Sequence, residues 1–160
     1  MNPYLRDWRL ADVLAALTLM GRYPYPSLKW QDWAERLGAV RSAPDWRTVF
    51  YEHPEFFRLS EEEAGWASLR LRYGFDRTYS LSERRELAPT EMTAMAADSD
   101  YKDLTRRPLT PEEIEALTNT AIELHARAIA QAGERRWLIP ILFTLAGTLL
   151  GAILQAALRK

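Results

Sequence analysis

Apolar positions along the chain follow two periods in turn. From Trp8 to Met20 (WRLADVLAALTLM) they recur every three or four residues, so that Leu10, Val13, Leu14 and Leu17 share one helical side. Gly21 is the expected terminator, and a turn rich in Tyr and Pro (RYPYP) follows. The same spacing predicts a second helix over Leu28–Leu37, capped by Ser27 and ended by Gly38, with Trp30, Trp33, Ala34 and Leu37 inward. A third helix starts at Ser42 or Ala43, carries Trp46, Val49 and Phe50 inward, and stops before Pro54. The period then shortens to two. Phe56–Ser60 and Trp66–Tyr73 are strand-like runs joined by a hairpin at Glu61–Gly65. Strict alternation would bury Ala67, Leu69, Leu71 and Tyr73 and expose Trp66, Ser68, Arg70 and Arg72.

Residues 81–109 lose this order. With Pro89, Pro108, Met92, Met95 and several Asp, they are expected to form a loosely structured linker. A helix restarts at Thr110-Pro111-Glu112-Glu113, where Thr110 caps, Pro111 takes the position whose amide is free, and Glu113 completes a capping box. Ile114, Leu117, Ala121, Leu124 and Ala128 form its apolar stripe, Ile122 and Ile129 a neighbouring one, and Gly133 marks its end. That side is broad enough to pack on the front domain or on further copies of itself. Trp137–Leu158 holds 22 residues without a charge. As a helix it would extend about 33 Å, the thickness of a hydrocarbon core. Arg135 and Arg136 before it, Trp137 at its first position, and Arg159 and Lys160 after it suit the two interfaces.

The front of the chain, residues 8–80, resembles the winged-helix family: three helix cores, then the turn-and-strand His53–Leu59 (HPEFFRL) and the strand Trp66–Tyr73 (WASLRLRY). The expected fold class is therefore mainly α with a small β-hairpin. A winged-helix-like domain (1–80) is followed by a linker (81–109), an amphipathic helix (110–136) and one C-terminal transmembrane helix (137–158). A small recognition domain on one membrane helix is similar in architecture to the small membrane effectors of bacterial antiphage defence systems. The resemblance implies antiviral defence and the sensing of nucleotide or oligonucleotide signals.

Composition narrows the chemistry. The net charge is −1, and no cysteine is present, which excludes disulfides and thiolate sites. Only His53 and His125 are available as imidazoles, and neither sits in a metal-binding or catalytic spacing. No phosphate loop or nucleophile elbow occurs, so an enzyme is not expected, and no cofactor is implied. Arg58, Arg70 and Arg72 on the exposed hairpin face, with Trp66 and Arg77, combine charge and stacking surface, the pairing that holds single strands or nucleotides. The acidic tip Glu61–Glu63 opposes a duplex. In the apolar segment Thr144, Gly147, Thr148, Gly151 and Gln155 share one side, a pattern suited to close helix association or a narrow polar path. The expectation is a single-pass protein of the cytoplasmic membrane, N-terminus in the cytosol. It would act as an oligomeric sensor or effector whose front domain binds a nucleotide, a single-stranded nucleic acid or a protein. The alternatives are a membrane-anchored recruitment adaptor and a membrane-bound DNA-binding regulator.

Overall fold

The computed structural model describes residues 2–60, 65–94 and 102–133. After a 3-10 turn at Pro3–Leu5, the element order is α1 (Arg9–Arg22), β1 (Ser27–Lys29), α2 (Trp30–Leu37), α3 (Trp46–Glu52), β2 (Phe57–Leu59) and β3 (Trp66–Leu69). It continues with α4 (Arg70–Tyr73), β4 (Tyr79–Ser80), β5 (Arg85–Glu86), α5 (Pro89–Ala94) and β6 (Leu104–Thr105). A last helix, α6, covers 111–133. The strands form two antiparallel three-stranded sheets, ordered β1-β3-β2 and β5-β4-β6.

The fold class is thus mixed α/β, which corrects the expectation of a mainly α chain with one hairpin. The extra strands are two or three residues long, too short to leave a period. β1 takes residues expected to cap and begin a helix. Pro24 and Pro26 bias the residues before them toward extended backbone, and Tyr23 has ψ 141°. The chain therefore reaches Ser27 extended and pairs along β3, with Ser27 opposite Ser68 and Lys29 opposite Trp66. For the same reason Gly21 does not end α1, which runs on to Arg22 and stops before Pro24. Part of 81–109, expected as a linker, supplies β5, α5 and β6.

A further correction concerns the membrane. Among the described residues no helix is long and apolar enough to cross one. The expectation of a transmembrane helix, and with it single-pass localisation in the cytoplasmic membrane, finds no support there. Trp137–Leu158, with Thr144, Gly147, Thr148, Gly151 and Gln155, lies outside the described residues, as does the acidic tip at 61–64. The long helix α6 turns its apolar stripe to the domain core: Ile114, Ala121 and Ala128 are buried, while Ile122 and Ile129 are exposed. Its capping box forms in both directions, Thr110 N donating to Glu113 Oε2 (2.8 Å) and Glu113 N to Thr110 Oγ1 (3.2 Å).

One core joins α1, α2, α3, the first sheet and α6. Trp33 is wholly buried and donates from Nε1 to the Ala67 carbonyl (2.9 Å), tying α2 across β3. Trp46, Phe50 and Phe57 pack in series, the first pair stacked and the second tilted, with centroids 6.0 and 5.0 Å apart. α3 begins at Trp46 because Asp12 Oδ2 takes the Arg41 and Ser42 amides (3.1 and 2.8 Å) before a helix can. Asp45 Oδ1 then caps it on Thr48 N (2.7 Å). The N-terminal turn is fastened by Tyr4, whose hydroxyl donates to Glu55 Oε1 (2.6 Å), an oxygen that also accepts from His53 Nδ1 (2.9 Å). His125 Nδ1 donates to the Tyr4 carbonyl (2.9 Å), so both histidines serve this joint.

Two outcomes test this packing. A Cβ at Gly21 would lie 2.9 Å from Ile114 Cγ1, where α6 crosses α1. Gly21→Val should therefore cost about 1–3 kcal/mol in urea denaturation. Gly21→Ala should not deliver the roughly 1 kcal/mol gain of an open helical glycine; such a gain would show that the crossing is loose. The second concerns Glu55: burial raises its pKa, but hydrogen bonds from His53 and Tyr4 outweigh this and leave it below the usual range. A carboxylate depressed in the folded state stabilises fully above its unfolded pKa, and that contribution is lost as pH falls through the folded value. Melting temperatures at pH about 6 and about 3 should therefore differ less for Glu55→Gln than for the wild type. Equal drops in the two proteins would count against the joint.

Candidate functional site

β3 keeps its alternation for four residues only, and this decides what surface the sheet offers. Ala67 and Leu69 are buried as expected. At Arg70 the chain turns into α4, and the next buried position is Arg72, three residues after Leu69, which is helical spacing. Leu71 and Tyr73, expected inside, are each 42% exposed.

Of the sequence-expected ligand residues, Arg58, Arg70 and Trp66 are exposed. Arg58 is cross-strand from Ser68, as is Ser27 on the other side, and Lys29 is cross-strand from Trp66. Because alternate residues of a strand share a face, Lys29, Arg58 and Trp66 lie on the outer face of this sheet. Trp66 is half exposed (50%). Arg70 follows directly and donates from Nε to the Pro54 carbonyl (2.8 Å). Arg77 lies elsewhere, anchored through Nη2 to the Leu104 carbonyl in the second sheet (3.0 Å).

Arg72 is not on the face at all. It is wholly buried, and no carboxylate partners it among the described residues. Instead its guanidinium meets six backbone carbonyls. Nε donates to Arg107 O (2.7 Å), Nη2 to Pro24 O (2.7 Å) and Arg106 O (2.9 Å), and Nη1 to Met20 O (3.2 Å), Tyr25 O (3.3 Å) and Tyr23 O. Burial pulls its pKa down to about 10, Tyr79 opposing and Arg107 adding to the shift, so it is cationic at neutral pH.

Tyr73 and Arg106 complete the surface, and sequence reasoning missed both. The Arg58 guanidinium sits 3.9 Å from the centroid of the Tyr73 ring, and that of Arg106 4.6 Å from it. Arg106 is held by a bond from Nε to the Phe75 carbonyl (2.9 Å). The alternation had assigned Tyr73 to the core, and Arg106 belongs to a segment without periodicity. A signal was present in the Arg106-Arg107 pair, but its two members diverge. Arg107 closes on Glu113 (2.6 and 2.7 Å), whereas Arg106 faces the tyrosine.

Among the described residues, Lys29, Arg58, Arg70 and Arg106 have no ion-pair partner. Four cations beside two partly exposed rings attract phosphates, and the half-exposed Trp66 indole offers a stacking plane. Nothing in this surface supplies a nucleophile with an adjacent base. No group of three or more His, Asp or Glu among the described residues could hold a metal ion.

The division between tie and surface is measurable. Arg72→Leu should cost at least about 3–5 kcal/mol, since it strands buried carbonyls. Arg58→Glu and Arg70→Glu should each stay within about 1 kcal/mol. Urea unfolding of the three variants checks this, and an Arg72→Leu protein of wild-type stability would refute the assignment. Comparison with protein-family models, curated proteins and solved structures finds no match for this chain.

Proposed function

We propose that the domain is a binding module that takes a single-stranded nucleic acid or nucleotide ligand on the outer face of its first sheet. The observation that carries this reading is the cluster of Arg58 and Arg106 on the ring of Tyr73, beside exposed Trp66 and without carboxylate partners among the described residues. Guanidinium groups, two of them positioned on the Tyr73 phenol, supply phosphate contacts; the half-exposed Trp66 indole supplies a face that any base can stack on, worth roughly 1–3 kcal/mol per base. The winged-helix reading is supported by the element order. Three helices precede a hairpin, and β1 completes a sheet of order β1-β3-β2.

A duplex-reading role would fall to α3, and here support is weaker. Glu52 on that helix is occupied by Arg6 and Arg9 (2.8 and 2.7 Å), which leaves Arg47 and exposed Tyr51 among few outward groups.

Titration of the full chain with single- and double-stranded oligonucleotides at low salt tests the proposal. Single strands should bind more tightly, with log affinity falling by about 0.7 per phosphate contact for each decade of salt. Tyr73→Ala should weaken binding about tenfold, and Arg58→Glu with Arg70→Glu should abolish it. A preference for duplex with a large loss on Arg47→Ala would move the site to α3. Wild-type protein that binds neither form would end the nucleic-acid reading and favour recruitment of a protein partner.

A further inference from the structure

A further concave surface lies where the end of α1 meets the second sheet. A cavity of about 530 Å³ is lined there by Arg22, Pro24, Tyr25, Tyr79, Leu81, Arg84 and Pro108. Its volume falls in the range of small-molecule sites. The lining holds two guanidinium groups, two phenols and apolar walls, and no carboxylate. Neither Arg22 nor Arg84 has an ion-pair partner among the described residues. The acidic neighbours of Arg84 in sequence are engaged, Glu83 with Arg85 (2.6 Å) and Glu86 with Arg107 (3.4 Å).

Two features show that this cavity is held in shape. Arg84 has φ 55°, a left-handed conformation that costs a bulky side chain free energy and persists only where its surroundings impose it. They do so here. Asp103 accepts from Ser80 Oγ (2.5 Å), Ser82 N (3.0 Å) and Ser82 Oγ (2.8 Å), and Ser80 Oγ accepts from Glu83 N (3.1 Å). The turn that delivers Arg84 is thereby locked on one side. On the other, the Pro24 and Tyr25 carbonyls are both fixed by Arg72. That buried cation, with no carboxylate partner among the described residues, stands behind the wall and adds to the positive potential of the cavity.

We infer that this cavity binds a nucleoside phosphate, its phosphate on Arg22 and Arg84 and its base against Tyr25 and Tyr79. A planar guanidinium binds phosphate in bidentate fashion, and the half-exposed Tyr25 (50%) leaves a face for a ring. The same chemistry is offered by a free nucleotide and by the terminal nucleotide of a strand. The inference is independent of the sheet-face reading, since the two surfaces share no residue.

The test is calorimetric titration of the full chain with adenosine diphosphate, inorganic phosphate and a 5′-phosphorylated oligonucleotide. Arg84→Gly is the informative variant, because glycine adopts the left-handed conformation without strain while the guanidinium is lost with the rest of the side chain. Its melting temperature should equal or exceed that of the wild type, while adenosine diphosphate binding weakens at least about tenfold. Arg22→Ala should weaken it similarly. Inorganic phosphate should bind more weakly than the nucleotide. A terminal-nucleotide source would appear as tighter binding of the 5′-phosphorylated oligonucleotide than of the same strand without its phosphate, a difference lost in Arg84→Gly. No binding of adenosine diphosphate, or equal binding by wild type and Arg84→Gly, would overturn the inference. Phosphate binding as tightly as the nucleotide would exclude the base-stacking role of the tyrosines.

Discussion

The guanidinium of Arg72 is the tie on which the arrangement of this domain depends. A charge taken wholly out of water is ordinarily neutralised by an acid, because desolvation costs several kcal/mol. Here the compensation is dipolar. Met20 O and Tyr23 O belong to the end of α1, where the last carbonyls of a helix lack internal partners and its dipole is negative. Pro24 and Tyr25 follow in a stretch whose prolines cannot donate, so its carbonyls need donors from elsewhere. Arg106 and Arg107 close the ring from the far end of the second sheet. Five N–H groups and six acceptors from two distant segments, 20–25 and 106–107, leave little freedom for either.

That tie also determines what each surface can be. By drawing Arg72 inward it turns α4 so that Tyr73 faces out, which creates the ring that Arg58 and Arg106 contact. The same bonds to Pro24 and Tyr25 set the wall of the cavity beside Arg84. One buried cation thus stands behind two cationic, aromatic surfaces.

Helices with a strong three-four period were legible in the sequence: α1, α2 and α3 lie where Val13, Leu17, Trp33, Val49 and Phe50 placed them, and the Thr110 capping box holds in detail. The hairpin was legible through Ala67 and Leu69. What failed did so for local reasons. Three residues of β1 and two each of β4, β5 and β6 are too few to print an alternation, and β1 is defined by pairing with β3 across some 40 positions. Arg72 was assigned to an exposed face because no pattern rule sends an arginine inward; only the unpaired carbonyls of distant segments do. Trp66 and Arg70 are exposed as the alternation of the strand predicts, and so is Arg58 on its neighbour. Tyr73 and Arg106 were missed because their roles arise from contact with each other.

The crossing of α6 over α1 has a mechanical side. Gly21 brings the two helices so close that Ile114 Cγ1 occupies the space a methyl group would need, and Leu109 N bonds to Gly21 O (2.9 Å) at the same point. From that anchor 111–133 extend about 34 Å as a single helix. A pull on the chain beyond residue 133, directed along that axis, reaches the domain as shear between two packed helices. Shear loads many side-chain contacts in parallel, whereas peeling a sheet edge breaks bonds one at a time. Load along that axis is therefore carried first by the packing of α6 on α1 rather than by the short strands of the two sheets.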